Sequence, residues 1–189
     1  MKRLPPLLLA ALAACGPGSP SDAMRWHDDA LAETDPKALG APPPGSVAQK
    51  EGLERFVTLF GDLREDRVRA QVRDVYAADV RFSDTLKNIR GVDELERYLV
   101  ESARAVESCK VEIEEVAPAP QGVYVRWRMH IRFKKLRKGE TQSSIGVSHL
   151  RFDKEGKVAY HQDYWDSGAN LFEKVPVLGA GIRAVKRRL

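Results

Sequence analysis

Only two cysteines, Cys15 and Cys109, occur in the 189 residues, too few for a disulfide framework. The four histidines stand too far apart in sequence for a metal-ligand motif, although two could meet across neighbouring strands. No glycine-rich loop follows a strand signal, which removes the usual phosphate cradle, and no nucleophile elbow is found. No internal repeat is visible. The apolar run near the N-terminus is roughly ten residues long, too short to span a membrane. These absences call for no metal and no cofactor, and leave cofactor-free chemistry or plain binding.

What is present suffices for one ordinary domain with an extra arm: 43% apolar residues and 31% charged ones. The net charge of +4 is unevenly placed. Lys2, Arg3, Arg183, Lys186, Arg187 and Arg188 lie at the extremes, and without them the body carries 25 basic against 27 acidic residues. That balance argues against a nucleic-acid partner. Residues 1–14, "MKRLPPLLLAALAA", read as a signal peptide with a basic head, an apolar run and small residues. The end of this stretch, Leu12-Ala13-Ala14-Cys15, resembles a bacterial lipobox. It implies lipidation of Cys15 and a membrane partner through that anchor, on the periplasmic side of the cell envelope. A start at Met24 is the alternative and would leave the protein cytoplasmic. With Cys15 lipidated, Cys109 has no partner and reads as a small buried residue rather than a nucleophile. Residues 15–47, with "GPGSP" and "GAPPPGS", gain too little from burial to offset ordering entropy and are expected to form a flexible tether. Trp26 and His27 are the only hint of more within it.

From residue 48 the pattern changes. Leu53, Phe56, Val57 and Phe60 have helical spacing, as do Val68, Val72, Val75 and Tyr76. A short strand, "VRFSD", follows. Val92, Leu95, Leu99, Ala103 and Val106 then make a third helical stripe. After Glu107 the period becomes two, with strands expected at 110–116, 122–135, 142–153 and 157–166. The C-terminal stretch reads as a short helix, a proline break and a second, basic helix. The order predicts an α+β domain over 48–189, with three N-terminal helices packed on a curved antiparallel sheet and a C-terminal helical tail.

That order, together with "VRFSDTLKNIRGVDELERYL" and "GVSHLRFDKEGKVAYHQDYWD", resembles the SnoaL-like branch of the nuclear transport factor 2-like (NTF2-like) superfamily. The resemblance covers residues 49–189. Relatives usually carry F-x-D-P after the second helix, and Thr85 stands here where the proline would be. The resemblance implies a cone whose concave face holds an apolar pocket. Its members include isomerases, cyclases, dehydratases and non-catalytic binders. Ketosteroid isomerases, on a related fold, use carboxyl groups as acid and base.

Strand alternation suggests which residues share that pocket. On 122–135 the odd positions, including Trp127 and Met129, are apolar, and the even ones from Arg126 to Lys134 are basic. A turn near Pro120 sets Glu112 opposite Arg128 and Glu114 opposite Arg126, with Val111 and Ile113 facing Met129 and Trp127. Counting across "RKGE" and "DKEGK" sets Trp127 opposite His149, His149 opposite His161, and Val147 opposite Asp163. Trp127, His149, His161, Asp163 and Trp165 would then line one face. Leu150, Phe152, Val158 and Tyr160 would fall on the basic face, a conflict that a β-bulge would resolve.

Asp163, a carboxylate at the rim of an aromatic pocket, is the candidate general base or acid. Turn capping, or pairing with Arg151 or His161, is its bland alternative. His149 is a candidate proton shuttle or a structural histidine, and Asp84 a second pocket acid or a turn residue. Trp127, Trp165, Tyr98, Met129 and His161 are candidate ligand contacts or simply core, and Asp166 suits the Ser-Gly turn. Three functions fit: binding of a small apolar or lipidic ligand, cofactor-independent isomerisation, cyclisation or dehydration with Asp163 as base, or an interaction module that uses its sheet face to form a homodimer or to dock on another envelope protein.

Overall fold

The computed structural model describes residues 22–136, 139–175 and 177–188. The signal peptide and Cys15 lie outside them. The chain divides at Glu33/Thr34 into two units. In the first, Trp26 and His27 belong to helix α1 (Asp22–Glu33), with Asp22 paired to Arg25 one turn on. A helix thus stands where composition predicted only tether.

The second unit also begins earlier than expected. Asp35 Oδ1 accepts from the Lys37 and Ala38 amides, and Arg151 Nη1 donates to the Thr34 carbonyl at 3.2 Å. Backbone satisfied in this way has a fixed course, so residues 34–46 belong to the domain. Ser46 then opens helix α2 (Val47–Phe60) as its N-cap. Its hydroxyl accepts from Gln49 N, while Gln49 Oε1 accepts from Gly45 N at 2.7 Å. Gly52 lets α2 approach the turn at 153–157, since a Cβ there would lie 2.2 Å from the Gly156 carbonyl oxygen. Arg55 Nη2 donates to that same oxygen at 2.8 Å.

Helix α3 (Glu65–Val75) buries Val68, Val72 and Val75, and helix α4 (Val92–Ala105) buries Val92, Leu95, Leu99 and Ala103, the predicted stripes. Tyr76 is not the last helical residue but the first of strand β1 (Tyr76–Ser83), which pairs with a short unanticipated strand, β2 (Asn88–Arg90). Strands β3 (Val106–Ala119), β4 (Gly122–Phe133), β5 (Gln142–Phe152) and β6 (Val158–Trp165) complete one sheet of order β2-β1-β6-β5-β4-β3. After it come α5 (Ser167–Asn170), a 3₁₀ turn (Phe172–Lys174) and α6 (Leu178–Lys186). The α+β class is as expected. The sheet is mixed, however, because β1 and β6 run parallel. The chain between them, a helix and four strands, is long enough for the crossover that parallel pairing requires.

The inner face carries the core, where Leu59, Leu95, Leu150 and Val125 have no exposed surface. Each such aliphatic side chain contributes about 1.5–3 kcal/mol. Registers decide the rest. Glu112 opposes Arg128, Val111 opposes Met129 and Ile113 opposes Trp127, as expected. A shift after Ile113 then sets Glu115, not Glu114, opposite Arg126. On β5 the expectation fails: Trp127 opposes Gly146, three positions from His149. On β6, Ser148 opposes Asp163 and His149 opposes Gln162. Both displacements are odd, so β5 presents its even residues inward. Leu150 and Phe152 therefore join the core, which removes the conflict on that strand. A register shift between Arg151 and Phe152 brings Val158 inward as well, while Tyr160 stays with His149 and Arg151.

Candidate functional site

The inner face of the sheet and helices α2 and α4 enclose a cavity of about 280 Å³. Its walls are mainly apolar: Phe56, Phe60, Phe82, Leu99, Trp127, Met129, Ile131 and Phe133. Asp84, Tyr98, Ser148, His161, Asp163 and Trp165 add polar groups. Strand β6 delivers His161, Asp163 and Trp165 at alternate positions. That is why an acid, a histidine and a tryptophan share one face at the strand end.

One hydrogen-bonded chain joins four elements. Tyr76 Oη lies 2.8 Å from His161 Nδ1, and His161 Nε2 lies 2.8 Å from Asp163 Oδ1. Ser148 Oγ donates to the same Oδ1 at 2.5 Å, and Trp127 Nε1 donates to Ser148 Oγ at 2.9 Å. Burial, then the charge of Asp163, pushes the Tyr76 hydroxyl well above its ordinary pKa, so it keeps its proton and is able to donate it to Nδ1. The Asp163 carboxylate can only accept, so Nε2 carries the proton on that side of the ring and donates to it. Donors thus converge on Oδ1 from both sides, while Oδ2 accepts no hydrogen bond among the described residues. His161 is 2% exposed and ringed by Phe56, Phe60, Phe82 and Tyr76, with centroids 4.9–6.0 Å away. Such a cage leaves the imidazole no water, so both nitrogens need the partners they have.

Trp127 reaches Ser148 because Gly146 lies beneath its ring. A Cβ there would stand 2.4 Å from the indole. A side chain at 146 would lift the ring and break the chain.

A second polar pair borders the cavity. Tyr98 Oη donates to Asp84 Oδ2 in a short hydrogen bond, and Trp165 Nε1 donates to the Asp84 carbonyl at 2.9 Å. Burial, then Asp84, raises the Tyr98 pKa, so this hydroxyl too stays protonated. Asp84 Oδ1 meanwhile accepts from Leu86 N and Lys87 N, so the acid serves turn and cavity together. Thr85 between them has φ +71°, a left-handed conformation closed to proline. The replacement of the expected proline thus follows from the loop's shape.

His149 is a correction. It points to the other face, stacks on Tyr124 at 4.5 Å, and its Nε2 lies 2.9 Å from the Gln121 carbonyl oxygen. The register that sets Trp127 opposite Gly146 sets His149 opposite Tyr124, on the outer face. Ser148, its neighbour, holds the place assigned to it, and a serine in a strand has no sequence signal of its own. Trp127, Met129, Tyr98, His161, Asp163, Asp84 and Trp165 all border the cavity. Asp166 caps α5 through the Ala169 amide. Cys109 also borders the cavity, buried, with its thiol pushed up to about 11 by desolvation, which makes it a poor nucleophile near neutrality.

The sequence pattern of the SnoaL-like domain matches residues 53–161, more than half of the chain. The chain belongs to the SnoaL-like family. No curated protein sequence matches it. Among solved structures, this SnoaL-like domain is similar to an NTF2-like protein of unknown function from Burkholderia pseudomallei K96243 (TM-score 0.56, 14% identity, 66% of this chain and 95% of that one). It is also similar to an LEH-like epoxide hydrolase from Mycobacterium tuberculosis (TM-score 0.55, 16% identity, 77% and 100%). A third is a hypothetical protein with a ketosteroid isomerase-like fold from Catenulispora acidiphila DSM 44928, in complex with trimethylamine (TM-score 0.54, 15% identity, 64% and 89%). At these identities the likeness establishes the NTF2-like fold, and activity has to be argued from the site.

Proposed function

We propose that the cavity binds a small apolar molecule bearing a carbonyl and that Asp163 moves a proton on it without a cofactor. The observation that carries this reading is the asymmetry of Asp163. Oδ1 is held by Ser148 and His161, and Oδ2 is left over on a residue that lines an apolar cavity. A carboxylate so oriented can take a proton from the carbon beside a carbonyl and return it at another carbon. The negative charge that develops on the carbonyl oxygen needs a donor. Tyr98, which lines the cavity, can supply one by turning its hydroxyl from Asp84 to the ligand, exchanging one hydrogen bond for another.

Hydrogen–deuterium exchange at the α-carbon of 2-tetralone, followed by NMR, tests the reading without the natural substrate. Wild-type protein is expected to accelerate exchange, and Asp163→Asn to lower the rate by about 10²–10⁴-fold with ketone binding retained. Binding without exchange in either form would leave a binder only. Equal exchange in both would remove Asp163 as the base.

We further propose an envelope location, supported by the lipobox-like Leu12–Cys15. Labelled palmitate should enter the wild type and not Cys15→Ser, whereas a wholly soluble cytoplasmic product would refute it. Pairing of two copies through the outer sheet face is supported by exposed Tyr124, Ile145 and Tyr164. Sedimentation should then give a dimer that Ile145→Lys dissociates.

A further inference from the structure

Three polar atoms beside the cavity have no hydrogen-bond partner although they are buried: Ser144 Oγ and both amide atoms of Gln142. Ser144 is 7% exposed. A buried polar group left unpaired destabilises the fold that holds it, so orphans gathered at a cavity wall point to a missing occupant. Both residues stand on β5 in phase with Gly146 and Ser148, and therefore on one face. Ser148 is already committed to Asp163 and Trp127. Gly146 is covered by the Trp127 ring. Met129 and Ile131, opposite Ser144 and Gln142 on β4, continue the apolar wall.

The cavity thus has two polar ends. Four residue steps of extended strand lead from Ser144 to Ser148, a distance of about 13 Å, with an indole floor between. Resting on the proposal that the cavity takes an apolar ligand, we infer that Ser144 and Gln142 select one that is elongated and carries a second polar group, remote from the one that meets Asp163. That group is neutral and both donates and accepts: a hydroxyl or a carboxamide. A carboxylate offers acceptors only and would leave Gln142 Oε1 unpaired. A hydroxyl gives its proton to Oε1 and accepts from Nε2 or Ser144.

Decan-1-ol and decane-1,10-diol probe this directly, the hydroxyls of the extended diol being a comparable distance apart. Affinities for both are measured by calorimetry on the wild type, Ser144→Ala and Ser144→Ala/Gln142→Leu. The ratio of diol to mono-ol affinity is expected to fall about tenfold in the double variant, with mono-ol affinity kept, because only the remote hydroxyl loses its partners. Ser144→Ala is expected to leave the melting temperature of the free protein unchanged or higher, since it removes an orphan. An unchanged ratio while both alcohols bind would overturn the inference and spare the cavity. Failure of both to bind would overturn the cavity reading and this inference with it. A lowered melting temperature of Ser144→Ala would show a hydroxyl already satisfied, and would also overturn it.

Discussion

On the inner face of β4–β6, Trp127, Ser148, His161 and Asp163 form a chain of hydrogen bonds walled by phenylalanines. On the outer face of β3 and β4, Glu114 holds Arg126 at 2.7 Å and Arg128 at 2.9 Å, with both guanidinium groups half exposed to water. The distances are similar and the consequences are not. Water competes for every outer pair and screens its charge, so the pairs choose partners more than they add stability. Inside, no water substitutes, and each donor lost leaves an acceptor stranded. The inner face is therefore the side of the sheet on which polar groups are few and the loss of any one costs most.

Removing Trp127 should sharpen this contrast most. Trp127→Ala deletes a buried ring and the donor to Ser148, and a loss of roughly 3–5 kcal/mol is expected in denaturant titration. A loss below about 1 kcal/mol would mean that the inner face tolerates truncation as the outer one does.

Cys109 gives the next effect, through pH. The unfolded thiol ionises near 9 and the buried one near 11, because burial alone raises it. Between these values the unfolded chain releases a proton that the native state retains, so stability falls as pH rises. That difference corresponds to about 3 kcal/mol at most. Cys109→Ala should abolish that share of the alkaline loss, leaving the later decline that the raised tyrosines Tyr76, Tyr98 and Tyr160 produce. Identical pH profiles for the two proteins would place the thiol in contact with water.

Glu114 should matter least. Glu114→Gln removes two ion pairs on the outer face, and a change under about 1 kcal/mol is expected, shrinking further in high salt. A larger, salt-insensitive loss would erase the difference between the faces.

The same contrast explains what could be read before folding. Alternation on β4 and β6 already put Trp127 with Met129 and His161 with Asp163 and Trp165, because period two is local. The partner across the ladder is not local. It depends on how many residues a turn consumes, and an odd error at 134–141 exchanged Ser148 for His149 on the cavity face. The helix Asp22–Glu33 was hidden by a proline- and glycine-rich context that lowers average burial without forbidding one short helix. Gln142 and Ser144 look like exposed strand residues, and only their burial beside the cavity marks them.

By itself, then, the chain determined its class and its faces: three apolar stripes of helical period, four strands of period two, and an acid in phase with a histidine and a tryptophan. Those follow from backbone geometry that every residue shares with its neighbours. The tertiary structure alone decided that Ser148 and His161 converge on one oxygen of Asp163, that Tyr76 stands behind them, and that His149 does not belong. Such meetings join residues as far apart as 85 positions, set by registers and turns that no local pattern encodes.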